Sequence, residues 1–347
     1  MSRVAVVLFN LGGPDSPEAI RPFLKNFFMD KNIISAPRPV RDVISSLIAN
    51  RRSRREAKEA YALLGGKSPL LANTQAQAQA LEERLRQDAP GTEWRAFVSM
   101  RYWHPMSEAA AQAVREWGAE KIVLVPLYPQ FSTTTTGSSL QDWARASRKA
   151  GLAAPVATLC CYPRESGFIA ASAEAIGGVY AEMAAKAPRR PRVLFSAHGL
   201  PEKIIAGGDP YQWQCEESAR AIAAATGIAN LDWQICYQSR VGPLKWIGPS
   251  TGEALQKAAN DGVPVIVYPH AFVSEHVETL VEIEMEYRHL AQQLGVPAFA
   301  RVPTAGVSPA FIGGLAAAVI ARAGGVGISS SEGGRLCPPS FRRCCQA

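Results

Sequence analysis

The chain has 347 residues, with 37 Lys and Arg against 30 Asp and Glu, and a formal charge of +7 with five neutral histidines. Apolar residues make up 47% and charged residues 19%, enough core material for two domains, which excludes global disorder. No stretch reaches the roughly 18 consecutive apolar residues of a membrane-spanning helix, and the basic excess comes without a zinc-finger spacing or an RNP-type aromatic signature, so nucleic acid is not an expected partner.

In chain order, MSRVAVVLFNLGGPD carries too short an apolar run for a secretory signal and reads as the first strand, residues 4–9, of a cytoplasmic protein. Phe23, Leu24, Phe27 and Phe28 follow at helical spacing, interleaved with Arg21 and Lys25. They suit a core face, a lip around a large flat apolar ligand, or a surface resting at a bilayer, even on the inner face of the cell membrane. Arg51, Arg52, Arg54, Arg55 and Lys58 form a solvated helix face or a site for phosphates or carboxylates. Gly66-Lys67-Ser68 resembles the end of a phosphate-binding loop, but Tyr61 stands where that loop needs glycine and no strand precedes it, so nucleotide binding there is rejected.

Further β-branched runs at 97–100, 122–125, 193–197, 233–237 and 263–268 alternate with helical patterns at 74–87, 107–117, 168–185, 215–226 and 276–294. The run STTTTGSS from residue 132 reads as a loop with a cap, Ser139 to Asp142 fitting a capping box. The alternation predicts an α/β protein of parallel sheets flanked by helices. The expected boundaries are 1–160, 161–323 and a Gly-, Ser- and Pro-rich tail, 324–347, which alone should be disordered.

Strand 193–197 runs into His198-Gly199, and strand 263–268 ends just before His270, His276 and Glu278. Ligands of open parallel sheets bind outside the carboxyl ends of the strands, which puts both segments on one functional edge. Imidazole nitrogen and carboxylate oxygen suit Fe(II), Co(II) or Zn(II), and they are equally the groups of a general base. A helix starting near Glu275 would stack Glu278, Glu282 and Glu286 on one face with Glu284 nearby, as an acidic stripe or a row conducting cations.

Of seven cysteines, Cys337, Cys344 and Cys345 crowd the last eleven residues, which suggests that something ties the tail down. Cys215 and Cys236 read as buried apolar residues. A structural zinc ion, an iron–sulfur cluster and unliganded thiols all fit the tail, and spacing does not separate the two metal readings.

FNLGGPDSPEAIRPFLKNFF, LGGKSPL, MRYWHP, YPQFSTTTTGSSL, SAHGLP, GDPYQWQC, QSRVGPLKWIGPST and AFVSEHVETLVEIEMEY, in that order, resemble the motifs of the ferrochelatase family over about residues 3 to 320. The resemblance implies two Rossmann-like halves, each a parallel sheet flanked by helices, with the active-site cleft between them, and a lyase, a metal chelatase of haem biosynthesis, that inserts Fe(II) into protoporphyrin IX, forms protohaem and releases two protons. It implies His198, Glu278 and His276 as catalytic residues and substrate-iron contacts, with Arg101 and Tyr102 across the cleft. Leu11, Leu24, Phe28, Tyr61 and Trp246 would be the apolar walls, and Arg51 or Arg52 with Ser68 would meet the propionates. Glu275 stands where the family often has aspartate. SAHGLP resembles the protoporphyrin-using branch more than the coproporphyrin-using one. The tail resembles members that carry a 2Fe-2S cluster, with Cys160 or Cys161 as the fourth ligand. Peripheral membrane contact and a homodimer accord with the resemblance. The competing functions are a chelatase for coproporphyrin or another tetrapyrrole, and a non-enzymatic haem carrier or redox sensor.

Overall fold

The computed structural model describes residues 2–240 and 244–346, so residues 241–243 of the QSRVGPLKWIGPST motif lie outside the described residues. Strand β1 (Ser2–Asn10) is buried almost end to end, as a central strand covered on both faces must be. Val4, Val6 and Leu8 point to one face and Ala5, Val7 and Phe9 to the other. Beside it lie β2 (Thr92–Met100), β3 (Lys121–Pro126) and β4 (Val156–Leu159), all parallel.

Between β1 and β2 come α1 (Ile20–Phe28), α2 (Arg38–Arg54), α3 (Glu56–Ala62) and α4 (Leu70–Asp88). Helices α5 (Ser107–Trp117) and α6 (Thr136–Lys149) cover the face of Ala5, Val7 and Phe9. Helix α7 (Ser166–Lys186) leads to the second sheet: β5 (Arg192–His198), α8 (Glu202–Ala206), α9 (Tyr211–Ala225), β6 (Trp233–Gln238), α10 (Thr251–Asp261) and β7 (Val265–Tyr268). A π-helix (Glu278–Tyr287), α11 (Arg288–Leu294) and β8 (Phe299–Arg301) complete it. The chain then returns to the first half through α12 (Pro309–Ala323) and β9 (Gly327–Ser329).

The strand orders are β2-β1-β3-β4-β9 and β6-β5-β7-β8. Both halves therefore reverse winding direction between their first and third strands, which opens a crevice at β1/β3 and at β5/β7. One hydrophobic core runs through both sheets, joining Val4, Val6 and Leu8 to Val193, Phe195, Ile266 and Tyr268 through α7, α9 and α12.

Two local expectations change. The 276–294 helix is split into a π-helix and α11. Ser139 lies inside α6 and is not a cap, because the Ser132–Thr135 turn is pinned by Asp209 and the helix starts at Thr136. The tail is tied down, as its cysteines imply: β9 extends the first sheet, with Ala157 opposite Gly327 and Leu159 opposite Ser329.

His270 sits wholly buried behind the second sheet with its Nε2 3.2 Å from the Cys215 carbonyl. A carbonyl only accepts, so Nε2 carries the proton. Burial outweighs the backbone hydrogen bonds and pushes the imidazole down from 6.5 to about 4. The unfolded chain therefore binds this proton first, and the stability that rests on neutral His270 is complete above pH 6.5 and lost as pH falls toward 4. A chemical-denaturation series from pH 7.5 to 4.5 is expected to show a progressive loss of about 2 kcal/mol, which His270→Gln should flatten.

Candidate active site

Strand β5 delivers His198 at its carboxyl end, and β7, its neighbour in the sheet, leads into the loop carrying His276 and then Glu278 at the first position of the π-helix. These ends face the crevice of the second sheet. His198 Nε2 is 3.8 Å from one carboxylate oxygen of Glu278, and His276 Nε2 is 3.6 Å from the other. His198 Nδ1 lies 2.7 Å from the Gly199 carbonyl. That ring nitrogen must donate, so in the neutral ring the Nε2 lone pair is left facing Glu278.

Burial raises the Glu278 carboxyl, but His198, His276 and Arg52 outweigh it and bring it down to about 2. His276 Nδ1 and Glu278 Oε2 have no hydrogen-bond partner among the described residues, so the triad keeps polar capacity for a ligand. Glu282, one step along the π-helix, accepts from Gln238 Nε2 at 3.0 Å, Ser239 N at 2.8 Å and Tyr287 OH at 3.0 Å. Burial, then the charge of Glu278, push its carboxyl up. Glu286 is exposed, and Glu284 is engaged by Arg288 and Arg301, off the Glu278–Glu282–Glu286 line.

Glu275 keeps the loop in place: its carboxylate takes Arg301 Nη1 and the Thr304 N–H, each at 2.9 Å, and the Thr279 hydroxyl at 2.5 Å. From the first half, α4 grips the same loop. Asn73 Nδ2 donates to the Glu275 carbonyl at 2.9 Å, and buried Gln77 donates to the carbonyls of Val273 and Gly306 while accepting the Ser274 hydroxyl. Sequence reasoning missed Asn73 and Gln77. The available signal was two amides at i, i+4 on an otherwise apolar helix face.

Val277, between His276 and Glu278, packs against an apolar wall from the first half: Leu11, Leu24, Phe28, Tyr61 and Tyr102, with Ile20 and Phe23 behind. The Phe23/Leu24 face is thus core and wall; the exposed apolar residues nearby are Val40, Val43 and Leu47 of α2. Burial and the Glu278 charge push the Tyr61 phenol up, and Arg52 draws it down, so Tyr61, Arg52 and Glu278 share one electrostatic neighbourhood. Arg51, the alternative, is exposed on α2.

Ser68 is engaged locally: its N–H donates to Pro14 and its hydroxyl accepts from Leu70 N at 3.3 Å. Arg101 and Tyr102 are held by buried Asp30, at 3.0 Å and 2.7 Å, with the guanidinium stacked 4.7 Å over the phenol ring. Asp30 was also missed. On the second half, Trp246 closes on Gly199 beside His198. A Cβ there would lie 2.9 Å from the Gln238 carbonyl and 3.4 Å from the indole, so only glycine permits the approach.

Just past the carboxyl end of β4, Cys160 and Cys161 meet the tail, their sulfurs 3.5 Å apart. Cys160 also interacts with Cys345, Cys345 with Cys344, and Cys344 with Cys337, so these five thiols form one group. Cys215 and Cys236 are buried elsewhere, as expected of apolar residues. The tail is tied by backbone bonds from Cys160 N to Ser329 O, Ser331 N to Cys161 O and Arg343 N to Gly208 O, and by the Arg164–Glu332 ion pair. Among the described residues, no three His, Cys, Asp or Glu side chains are arranged to hold one metal ion. The five thiols supply enough sulfur donors for a four-thiolate zinc ion and for a two-iron cluster alike.

A family model described as Ferrochelatase matches residues 3–323. The ferrochelatase of Hyphomonas neptunium is 49% identical over 350 residues, covering 99% of this chain and 95% of its own. That of Caulobacter vibrioides is 48% identical over 343 residues, covering 99% and 97%. Among solved structures, SirB from Bacillus subtilis with Fe3+ matches with a TM-score of 0.52 at 12% identity, covering 93% of this chain and 96% of its own, a likeness of fold alone. With a family match across nearly the whole chain and full-length relatives near one-half identity, the chain belongs to the ferrochelatase family and is an enzyme, a metal chelatase of haem synthesis.

Proposed function

We propose that the protein inserts Fe(II) into protoporphyrin IX, forming protohaem and releasing two protons. The observation that carries this reading is the His198 ring, held by the Gly199 carbonyl so that Nε2 faces a carboxylate shared with His276. The macrocycle lies between the wall of Leu11, Leu24, Phe28 and Tyr61 and the indole of Trp246, with Arg52 toward a propionate and Arg101 and Tyr102 on the opposite face. Each pyrrole N–H gives its proton to His198 Nε2. The imidazolium that forms is stabilised by the Glu278 charge. The proton leaves through Glu278, His276 and Glu282 toward exposed Glu286, the freed nitrogen lone pairs bind Fe(II), and His198 returns to neutral for the second proton.

Anaerobic incubation with Fe(II) and protoporphyrin IX is expected to quench porphyrin fluorescence and yield haem bands. Coproporphyrin, offered at equal concentration, should turn over more slowly; a preference for it overturns the substrate assignment. Tight haem binding without insertion overturns the enzymatic step.

The same proposal extends to the tail: Cys337, Cys344, Cys345 and one of Cys160 and Cys161 hold a 2Fe-2S cluster, away from the reacting atoms. Protein purified anaerobically is expected to show sulfide-to-iron absorption that is lost in Cys337→Ser and in one of Cys160→Ser and Cys161→Ser. Zinc in place of iron and sulfide overturns it. In this reading the enzyme works in the cytoplasm and rests on the membrane through Val40, Val43 and Leu47 of α2, among Arg38, Arg41 and Arg51. No helix among the described residues is long and apolar enough to cross a membrane.

A further inference from the structure

One side chain beside the thiols cannot be a metal ligand of the cluster, yet it touches two of them. Gln214 lies on α9, wholly buried. Its Oε1 accepts the Phe131 N–H at 2.7 Å, and its Nε2 lies 3.0 Å from the Cys337 sulfur and 3.5 Å from the Cys161 sulfur. The amide orientation is determined by these partners. A flipped amide would set NH2 against the Phe131 N–H and oxygen against both sulfurs, losing all three bonds. Both amide hydrogens, carried by a helix of the second half, thus reach one sulfur from the end of β4 and one from the tail.

The neighbourhood suits this role. Phe131 packs with Cys160 and Cys161, and Phe341 of the tail stacks 5.9 Å from Trp213, the residue before Gln214. The amide is therefore clamped at its oxygen by the first half and flanked by the tail. A buried primary amide that spent its two hydrogens on neutral thiols would gain only weak bonds. Thiolates accept far better, and hydrogen bonds to ligand sulfurs are among the levers that set an iron–sulfur potential.

We infer that Gln214 is the positioning donor of the thiol site: it aligns Cys161 with Cys337 and, with the cluster bound, its N–H groups withdraw charge from ligand sulfur and raise the reduction potential. The inference rests on the cluster proposed above. One-electron reduction adds negative charge to the cluster, and a donor amide stabilises the reduced state more than the oxidised one. Residues that orient metal ligands typically change metal affinity by about 10- to 100-fold.

The test uses full-length protein purified anaerobically, as wild type, Gln214→Leu and Gln214→Glu. Iron and sulfide content, the visible spectrum, the midpoint potential in a dithionite titration and the rate of cluster loss to a chelator are measured. Gln214→Leu is expected to shift the midpoint negative and to lose its cluster about 10-fold faster or more. Gln214→Glu keeps the volume and the bond to Phe131 N–H but turns an anionic oxygen toward the sulfurs. It is expected to shift the midpoint further or to lose the cluster outright, and it serves where Gln214→Leu fails to fold. A wild-type chromophore with unchanged midpoint and unchanged chelator half-life in the folded variants overturns the role of Gln214 alone. A wild-type protein without the chromophore overturns the cluster and this role together.

Discussion

His198→Ala is expected to lower kcat for Fe(II) insertion by about 10²- to 10⁴-fold, the contribution of a positioned acid–base group. The protoporphyrin KM should change little, because the apolar walls formed by Leu24, Tyr61 and Trp246 remain. His198 and Glu278 are 33% and 24% exposed, so truncating either opens no sealed cavity and the far-UV spectrum should match wild type. Glu278→Gln is the sharper variant. It keeps the side chain's shape but removes the charge that stabilises protonated His198, and its loss of kcat is expected to be of similar size. The two losses should not add in the double variant, because both residues serve one proton transfer. Single-turnover fluorescence quenching under anaerobic conditions measures this directly. Wild-type rates in either single variant would refute the assignment.

Asp209→Ala is expected to cost about 4 kcal/mol and to lower Tm by roughly 5–10 °C. Asp209 is fully buried at the turn between α8 and α9. One carboxylate oxygen accepts the Ser132 hydroxyl at 3.0 Å, the Thr133 N–H at 2.8 Å and the Thr133 hydroxyl at 2.7 Å; the other accepts Tyr211 N at 3.0 Å. These bonds tie the first half's polar loop to the second half's α9, one residue from where Gly208 accepts the tail's Arg343 N–H. Alanine would strand four donors, two of them buried, whereas Asp209→Asn keeps part of the acceptor set and should lose roughly half as much. Calorimetry on the three proteins decides it, and an Asp209→Ala Tm within a degree of wild type would show that the loop is held some other way.

The alternation of buried runs and amphipathic stretches was legible because it is local: β1 is apolar over almost its whole length, and α5 ends where its apolar spacing ends, at Trp117 before Gly118 in the left-handed region. The π-helix was not legible, because the residues 276–294 satisfy an α-helical apolar pattern and only packing selects the wider turn. Nor were β9 and α12 seen as parts of the first sheet's layer. Three-residue β9 becomes a strand only because β4 offers an unpaired edge.

By itself, the sequence determined the α/β class, the ordered family motifs, and the placement of His198 at one strand end and of His276 with Glu278 beyond another. Each of these is a property of short, contiguous stretches. Tertiary structure alone decided that the charge of Arg52 reaches Glu278 while Arg51 is exposed, and that Asn73 and Gln77 grip the loop of His276. It also decided that the amide of Gln214 meets the sulfurs of Cys161 and Cys337. Those meetings join residues far apart along the chain, and strand order and side-chain packing, which no local pattern encodes, bring them together.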